Sequence, residues 1–428
     1  MRLGAAASRI VLCMSPTRTS AHPAATTKTP PAFSRDPKLE ALAESCTRFL
    51  IGHGRRSAGE LLATIPPGTK IDYYGIGGAV TELEGEVASL LGKQAALFFP
   101  TGTMAQQATL RVHADRRSSR SIAFHPACHM ETNEERGYER LHGLFGVPVG
   151  PGEEPLSAAS LSQVHEPIAA LLLELPQRAL GGTLPTWSEL VAQVGWARVQ
   201  GAAVHLDGAR LWDASPYYKA KHRKSIADVA GLFDTVYVSF YKGLGGIAGC
   251  CVAGDADVIE ELSVWRTRHG GRVFGMWPYA ASALAALRLR LPRMPAYYRH
   301  SLAIAEAVRD LPGVEVLPSP VQSPMMHLRF AVDLESLRER VVEIAESEKV
   351  MTFSRPWASL GPKLQEFELH VGDATLELTP EEIRGLFARL TGETPRRAAR
   401  AARRRAVSRR QLTDAPRGRG TRRSRAGS

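Results

Sequence analysis

No run of 18 or more apolar residues occurs in this chain, so nothing in it predicts a membrane-spanning helix. Cysteine is scarce. The five in 428 residues (Cys13, Cys46, Cys128, Cys250, Cys251) are scattered, and none stands in C-x-x-C spacing. An odd, dispersed set in a long chain with no secretory leader excludes a disulfide framework and predicts free thiols in a reducing, cytoplasmic setting. Metal-ligand spacing is missing as well: His125 and His129 stand four apart with no third ligand in register. Acid is absent from one end and almost absent from the other. Met1–Arg35 has five basic residues and no acid, and Pro395–Ser428 has 13 Arg against Asp414 alone. These ends more than account for the formal charge of +11 and leave −6 for Asp36–Thr394. The main body is therefore not a nucleic-acid footprint. The Arg-rich end reads either as a charged, solvated tail or as a polyanion-binding one; it lacks the interleaved aromatics on which bases stack, so any such binding is expected to be unspecific and salt-sensitive.

The first 35 residues, rich in Ala, Ser, Thr and Pro, cannot bury a core and are expected to be disordered, as is 395–428. Between them the apolar pattern alternates. Helical periodicity over Pro37–Ile51 leads into a Gly- and Pro-rich loop (HGRR, IPPG, DYYGIGG), then a helix from near Ala79 that stops on Gly92. Short apolar runs follow (AALFFP, SIAFHP, AALLLEL, AAVHLD, TVYVSF, GCCVAG), most of them alternating with helical stretches. That alternation predicts an α/β domain over 36–290, with a large, mostly parallel sheet covered on both faces. A smaller C-terminal α+β domain is expected over 291–394.

Ligands of a parallel α/β sheet bind beyond the carboxyl ends of its strands, and four segments place reactive side chains there. Phe99-Pro100-Thr101-Gly102-Thr103-Met104 offers a helix start to an anion, or merely an N-cap at Thr101 or Thr103. His205-Leu206-Asp207-Gly208-Ala209-Arg210 ends a strand in a carboxylate that could hold a ring nitrogen or simply cap a turn. Ser239-Phe240-Tyr241-Lys242 runs into three glycines among four residues, where an amine can approach a cofactor closely or stand in a surface turn. A desolvated Lys there could attack an aldehyde. His125 and His129 follow another strand, where an imidazole can stack on a ring, move protons or be solvated.

In their order and spacing, LEGEVASLLGKQAALFFPTGTMAQQ, HLDGARLW and SFYKGLGGIAG, with DYYG before them, resemble the threonine-aldolase and β-eliminating-lyase branch of fold-type I pyridoxal-phosphate enzymes. The resemblance covers roughly Ile71 to Leu291. It implies pyridoxal 5'-phosphate as cofactor, Lys242 as Schiff-base lysine, Asp207 on the pyridine nitrogen, Gly102 and Thr103 at the phosphate, and Arg210 on cofactor or substrate. His129 best matches the family's ring-stacking His, since Glu134 and Gly137 follow in the family's pattern; His125 is the competing choice. The implied reaction cleaves the Cα–Cβ bond of a small β-hydroxy-α-amino acid to glycine and an aldehyde, with His129 the candidate base. The alternative is β-elimination, racemisation or transamination. A homodimer or homotetramer is implied as well.

Three segments depart from the family. Gln177, in Glu174-Leu175-Pro176-Gln177-Arg178, stands where the aldolases have a His near the substrate hydroxyl. HGRR (His53–Arg56) replaces a Ser-Asp-Thr segment. Glu366 or Glu368 stands near the place of a carboxylate-binding Arg, from whose surroundings His370 survives. The substrate carboxylate is left to Arg210, Arg178 or Arg55.

Overall fold

Apolar runs become the strands of one seven-stranded sheet: β1 (Ala95–Phe99), β2 (Ser121–Phe124), β3 (Phe145–Pro148), β4 (Ala170–Glu174), β5 (Ala203–Gly208), β6 (Thr235–Ser239) and β7 (Cys250–Gly254). Their spatial order is β1-β7-β6-β5-β4-β2-β3. The computed structural model describes residues 37–354 and 358–393; the disorder expected of 1–35 and 395–428 and the polyanion binding of the Arg-rich end lie outside them. Strands β2 to β6 pair in parallel, and β7 alone runs against its neighbours β1 and β6. The centre of the sheet is fully buried because helices cover both faces: every residue of β5, β6 and β7 is buried, including the polar His205, Asp207, Thr235 and Ser239. No helix among the described residues is long and apolar enough to cross a membrane. Cys46, Cys128, Cys250 and Cys251 are all buried and unpaired.

This topology brings the ends of β1, β2, β4, β5 and β6 to one edge, where β7 also begins. Register sets Glu174 opposite Asp207 and Asp207 opposite Tyr237. A second, antiparallel sheet follows: β8 (Val314–Leu317), β9 (Met325–Phe330), β10 (Ala358–Gly361) and β11 (Leu364–His370), ordered β10-β11-β9-β8. Its core includes Phe330, Phe353, Phe367 and Phe387, with Phe330 making edge contacts to the other three at 5.2–5.7 Å.

The helical periodicity over Pro37–Ile51 is only partly realised. The helix stops at Ser45, and Arg48–Phe49 forms a short parallel pair with Val350–Met351. The helix packs on Leu334–Glu348, next to the second sheet, with Leu39 and Cys46 buried. An amphipathic stripe shows that a helix covers something without showing what.

Candidate functional site

A cavity of about 300 Å³ opens at the carboxyl edge of the large sheet. Its wall collects Thr101–Thr103 and Gln106 beyond β1, His129 and Glu134 beyond β2, Asp207 from β5, Tyr237, Tyr241 and Lys242 from β6, and Ile247–Gly249 before β7. Lys242, Asp207, His129, Gly102 and Thr103, chosen from four separate segments, thus line one chamber.

The helix Gly102–Arg117 points its start at this cavity. Thr101 is its N-cap, accepting from the Met104 amide at 3.4 Å, which settles the capping role on Thr101. The amides of Gly102 and Thr103 have no intrahelical acceptor by geometry, and the helix dipole adds to their attraction for an anion. Glycine is required at 102: a Cβ there would stand 2.2 Å from Tyr237 Oη.

Asp207 is buried, and one carboxylate oxygen accepts from the Ala209 amide at 3.1 Å. Beside it Glu174 accepts from the amides of His129 (3.1 Å) and Arg178 (2.9 Å). Burial, and then the Asp207 charge, push the Glu174 carboxyl up. Burial pushes the Lys242 amine down; Asp207 opposes that shift and Arg210 adds to it. Its neutral, nucleophilic form is therefore more accessible than in water.

His129 opens a short helix, and its Nδ1 lies 3.1 Å from a Glu134 oxygen whose partner oxygen accepts from Gln107 at 3.1 Å. That network assigns the proton to Nδ1 and leaves the Nε2 lone pair uncommitted. His125 lies elsewhere. Its Nδ1 accepts from the Ala127 amide (3.1 Å) and the Gln177 amide (2.7 Å), its Nε2 donates to the Glu154 carbonyl (2.8 Å), and it lines a separate cavity of about 30 Å³. Gln177 goes with it. The expectation that Gln177 faces substrate meets a buried side chain bonded to His125, its backbone amide on the Thr183 carbonyl, outside the chamber that holds Lys242.

Of the three candidate arginines, Arg55 is remote, bonded to Glu44 at 2.7 Å and to the Glu40 carbonyl. Arg178 and Arg210 converge on Glu368: Arg178 Nε donates at 2.6 Å and Arg210 Nη2 at 3.2 Å. Glu366 instead pairs with Arg329 and His327. His370 lies 3.3 Å from the buried Asp213.

The HGRR segment is built into the lysine loop. His53 Nε2 donates to the Gly243 carbonyl (2.9 Å), Arg290 Nη1 to that of Leu244 (2.8 Å), and Arg56 Nη2 to that of Gly245 (2.7 Å). Asp373 ties these together. Its amide donates to His53 Nδ1, and its carboxylate accepts from Arg290 (2.8 Å), Arg293 (2.5 Å) and Tyr297 (2.5 Å). Three consecutive carbonyls after Lys242 are gripped in this way. Sequence reading missed this clamp, along with Tyr237 and Gln106; HGRR, singled out only as a departure, was its one visible signal.

A buried amine, a carboxylate in low dielectric, an imidazole and an open helix start suit a flat molecule with an aldehyde, a basic ring nitrogen and a phosphate. The residues fit pyridoxal phosphate.

Comparison with known proteins agrees. The family model described as beta-eliminating lyase matches residues 58–331. The low-specificity L-threonine aldolase 1 of Arabidopsis thaliana is 29% identical over 288 residues, 64% of this chain and 78% of that protein. The low specificity L-threonine aldolase of Escherichia coli K12 is 27% identical over 252 residues, 58% of this chain and 73% of that one. A crystal structure from Listeria monocytogenes, provisionally described as an L-allo-threonine aldolase, superposes with a TM-score of 0.78 at 34% identity. It covers 83% of this chain and 99% of its own.

Proposed function

Because the chain belongs to the β-eliminating lyase family, we propose that it is a pyridoxal-phosphate lyase of the threonine-aldolase type, cleaving a β-hydroxy-α-amino acid into glycine and an aldehyde. The observation that carries the reading is the confluence of Lys242, Asp207, His129 and the Gly102 helix start in one chamber. Lys242 would hold the cofactor covalently, Asp207 its ring nitrogen, and the amides of Gly102 and Thr103 its phosphate. When bound, the cofactor supplies an aldehyde for amine condensation and a ring that takes up the electron pair left on Cα when the Cα–Cβ bond breaks.

The protein's own part is positioning and proton transfer. The clamp on the Gly243, Leu244 and Gly245 carbonyls fixes the backbone from which Lys242 projects, so its amine is presented in a narrow range of directions. Glu134 holds His129 by Nδ1, leaving Nε2 to take the proton of a β-hydroxyl as the bond beyond it breaks. Arg210 and Arg178 supply positive charge for the substrate carboxylate.

Two measurements test this. The purified holoenzyme is expected to absorb in the visible, to lose that band on borohydride reduction, and to lose it in Lys242→Ala; a colourless protein that cannot be reconstituted defeats the cofactor assignment. Glycine and aldehyde release from β-hydroxy amino acids is expected, and its absence for every such substrate defeats the aldolase assignment. A second reading on the same cofactor, β-elimination, is favoured by the withdrawal of Gln177 from the chamber; pyruvate release would identify it.

The same proposal includes assembly, setting and tail. Tyr73, Tyr74, Ile76 and Phe274 form an exposed apolar patch, with Tyr73 and Tyr74 making edge contacts to Phe274 at 5.7 and 5.4 Å. Such a patch supports a homodimer or homotetramer, measurable by sedimentation. Unpaired cysteines support a cytoplasmic setting, checked by localisation of the tagged chain. Deletion of 395–428 is expected to abolish salt-sensitive polyanion binding without altering catalysis.

A further inference from the structure

An α-amino acid that reacts through its amine must bring that nitrogen to the place of the Lys242 amine. Its carboxylate, one carbon away, then lies within a few ångströms of the same point. Arg210 follows Asp207 by three residues, and the Arg178 amide donates at 2.9 Å to Glu174, the carboxylate that also holds the His129 amide and stands opposite Asp207 in the sheet, so both arginines border the chamber and their charge reaches that amine. Both are already engaged by one residue. Glu368 sits on β11, a strand of the second sheet, and reaches across to accept from Arg178 Nε at 2.6 Å, Arg178 Nη2 at 3.4 Å and Arg210 Nη2 at 3.2 Å. The three side chains are largely buried, with 26%, 11% and 17% exposure for Arg178, Arg210 and Glu368. Two guanidiniums and one carboxylate carry a net charge of +1. The Nε of Arg210, moreover, meets no acceptor among the described residues. These three side chains therefore have the charge for one more carboxylate, and the neighbouring Asp207 carboxylate, which also acts on the Lys242 amine, leaves no surplus for a second.

We propose that Glu368 is the specificity-determining residue of the amino-acid subsite, limiting it to α-amino acids whose side chains carry no negative charge. The inference rests on the pyridoxal-phosphate reading above. Glu368 acts in two ways. By occupying one guanidinium edge from each arginine it holds the pair in place, so less side-chain freedom is lost when the substrate carboxylate binds. By its own charge it repels a second carboxylate, which in this partly buried site would be weakly screened. A dicarboxylic amino acid would bring −2 to a cluster of +1, with Glu368 already on the arginines that its second carboxylate would need. Amino acids with neutral side chains, such as serine or threonine, bring one carboxylate and leave the cluster neutral.

The test is a titration of the holoenzyme, full chain, with L-serine and with L-aspartate, following the cofactor absorbance to obtain a dissociation constant for each. Wild type is expected to favour serine by at least tenfold. Glu368→Gln keeps the size and the acceptor oxygen but removes the charge. It is expected to shrink the serine-to-aspartate preference at least tenfold, mainly through tighter aspartate. Should that variant not fold, Arg178→Gln reads the same idea with opposite sign: the cluster falls to zero net charge, serine binding weakens about tenfold or more, and discrimination against aspartate grows.

An unchanged preference in a folded Glu368→Gln overturns the proposal, as does unchanged serine binding in Arg178→Gln. So does a wild type that binds neither amino acid. Failure of the pyridoxal-phosphate reading looks different, since the purified chain then has no cofactor band to titrate; failure of the aldolase reading leaves the binding preferences intact while no glycine is released from threonine.

Discussion

Replacing Asp373 by Asn removes one negative charge from the point where three groups meet. Arg290 loses most: its side chain is only 9% exposed, it donates to Asp373 at 2.8 Å, and its other arm holds the Leu244 carbonyl. Taking the charged partner from a nearly buried ion pair costs about 3 kcal/mol or more, because the remaining charge stays desolvated. Arg293, half exposed, contributes under about 1 kcal/mol. Asn retains an acceptor for Tyr297, so that bond is largely kept. The expected loss in the stability of the apoprotein is therefore about 3–4 kcal/mol, read by urea unfolding at neutral pH. Burial pushes the Asp373 carboxyl up, but the His53 ring, the Tyr297 hydroxyl and Arg290 around it outweigh that and hold it well below the usual range. Its contribution is thus fully present above about pH 4, the unfolded value, and fades only as pH falls below that. Because the clamp fixes the loop carrying Lys242, cofactor affinity is expected to weaken about tenfold or more as well, measured by absorbance titration. Arg293→Ala, which leaves the Arg290 arm intact, is the control and should change both quantities little. A Asp373→Asn protein as stable as wild type, or one that loses stability while binding cofactor normally, would refute the argued link from Asp373 to the lysine loop.

Gly102→Ala places a methyl 2.2 Å from Tyr237 Oη and 2.9 Å from the ring carbon that bears it. A stability loss of about 2 kcal/mol is expected in thermal or urea unfolding, with weaker cofactor binding, and Tyr237→Phe should partly rescue both. Burial pushes the Glu84 carboxyl up to about 7 against the pull of the Phe98 amide. Between about pH 4.5 and 7 the folded protein then holds a proton that the unfolded chain has released. Stability should therefore fall by up to about 3 kcal/mol as pH rises through that window; in Glu84→Gln this part of the slope should vanish from urea midpoints taken at pH 5 and 7.5. Glu134→Gln removes the carboxylate that orients His129 and is expected to lower kcat about tenfold or more while leaving the visible band in place.

The parts of the site that were legible are those where local chemistry and chain order speak together. An Asp ending an apolar run, a Lys before three glycines and a Gly-Thr helix start each announce a strand end, and parallel topology then forces such ends to one edge. His129 could be preferred over His125 only through the family pattern. What separates them in space is that His125 turns to a backbone carbonyl, Glu154, and to Gln177, 52 residues further on. Gln177 was misplaced for the same reason, since alignment with a catalytic His says where the backbone runs and not where the amide finds its partner. Tyr237 was hidden inside TVYVSF, where an aromatic reads as sheet packing. Asp373 was invisible because its meaning depends on His53, Arg290, Arg293 and Tyr297, whose convergence is set by how the two sheets and their helices dock. The first helix was recognised as amphipathic, yet its burial on the second sheet's helix required a contact about 300 residues away.

The grip on Gly243, Leu244 and Gly245 has a consequence for how the protein is made. Its hands come from three places: His53 and Arg56, synthesised well before the lysine; Arg290, soon after it; and Asp373, much later. A nascent chain emerging from the ribosome therefore has Lys242 and Asp207 long before it has the residue that ties the holders together. The large sheet can assemble as it is translated, but the loop that presents the amine gains its last restraint only once residue 373 is free to fold. The full set of restraints on that loop is thereby completed only late in synthesis, after the strands that carry Lys242 and Asp207 have been made.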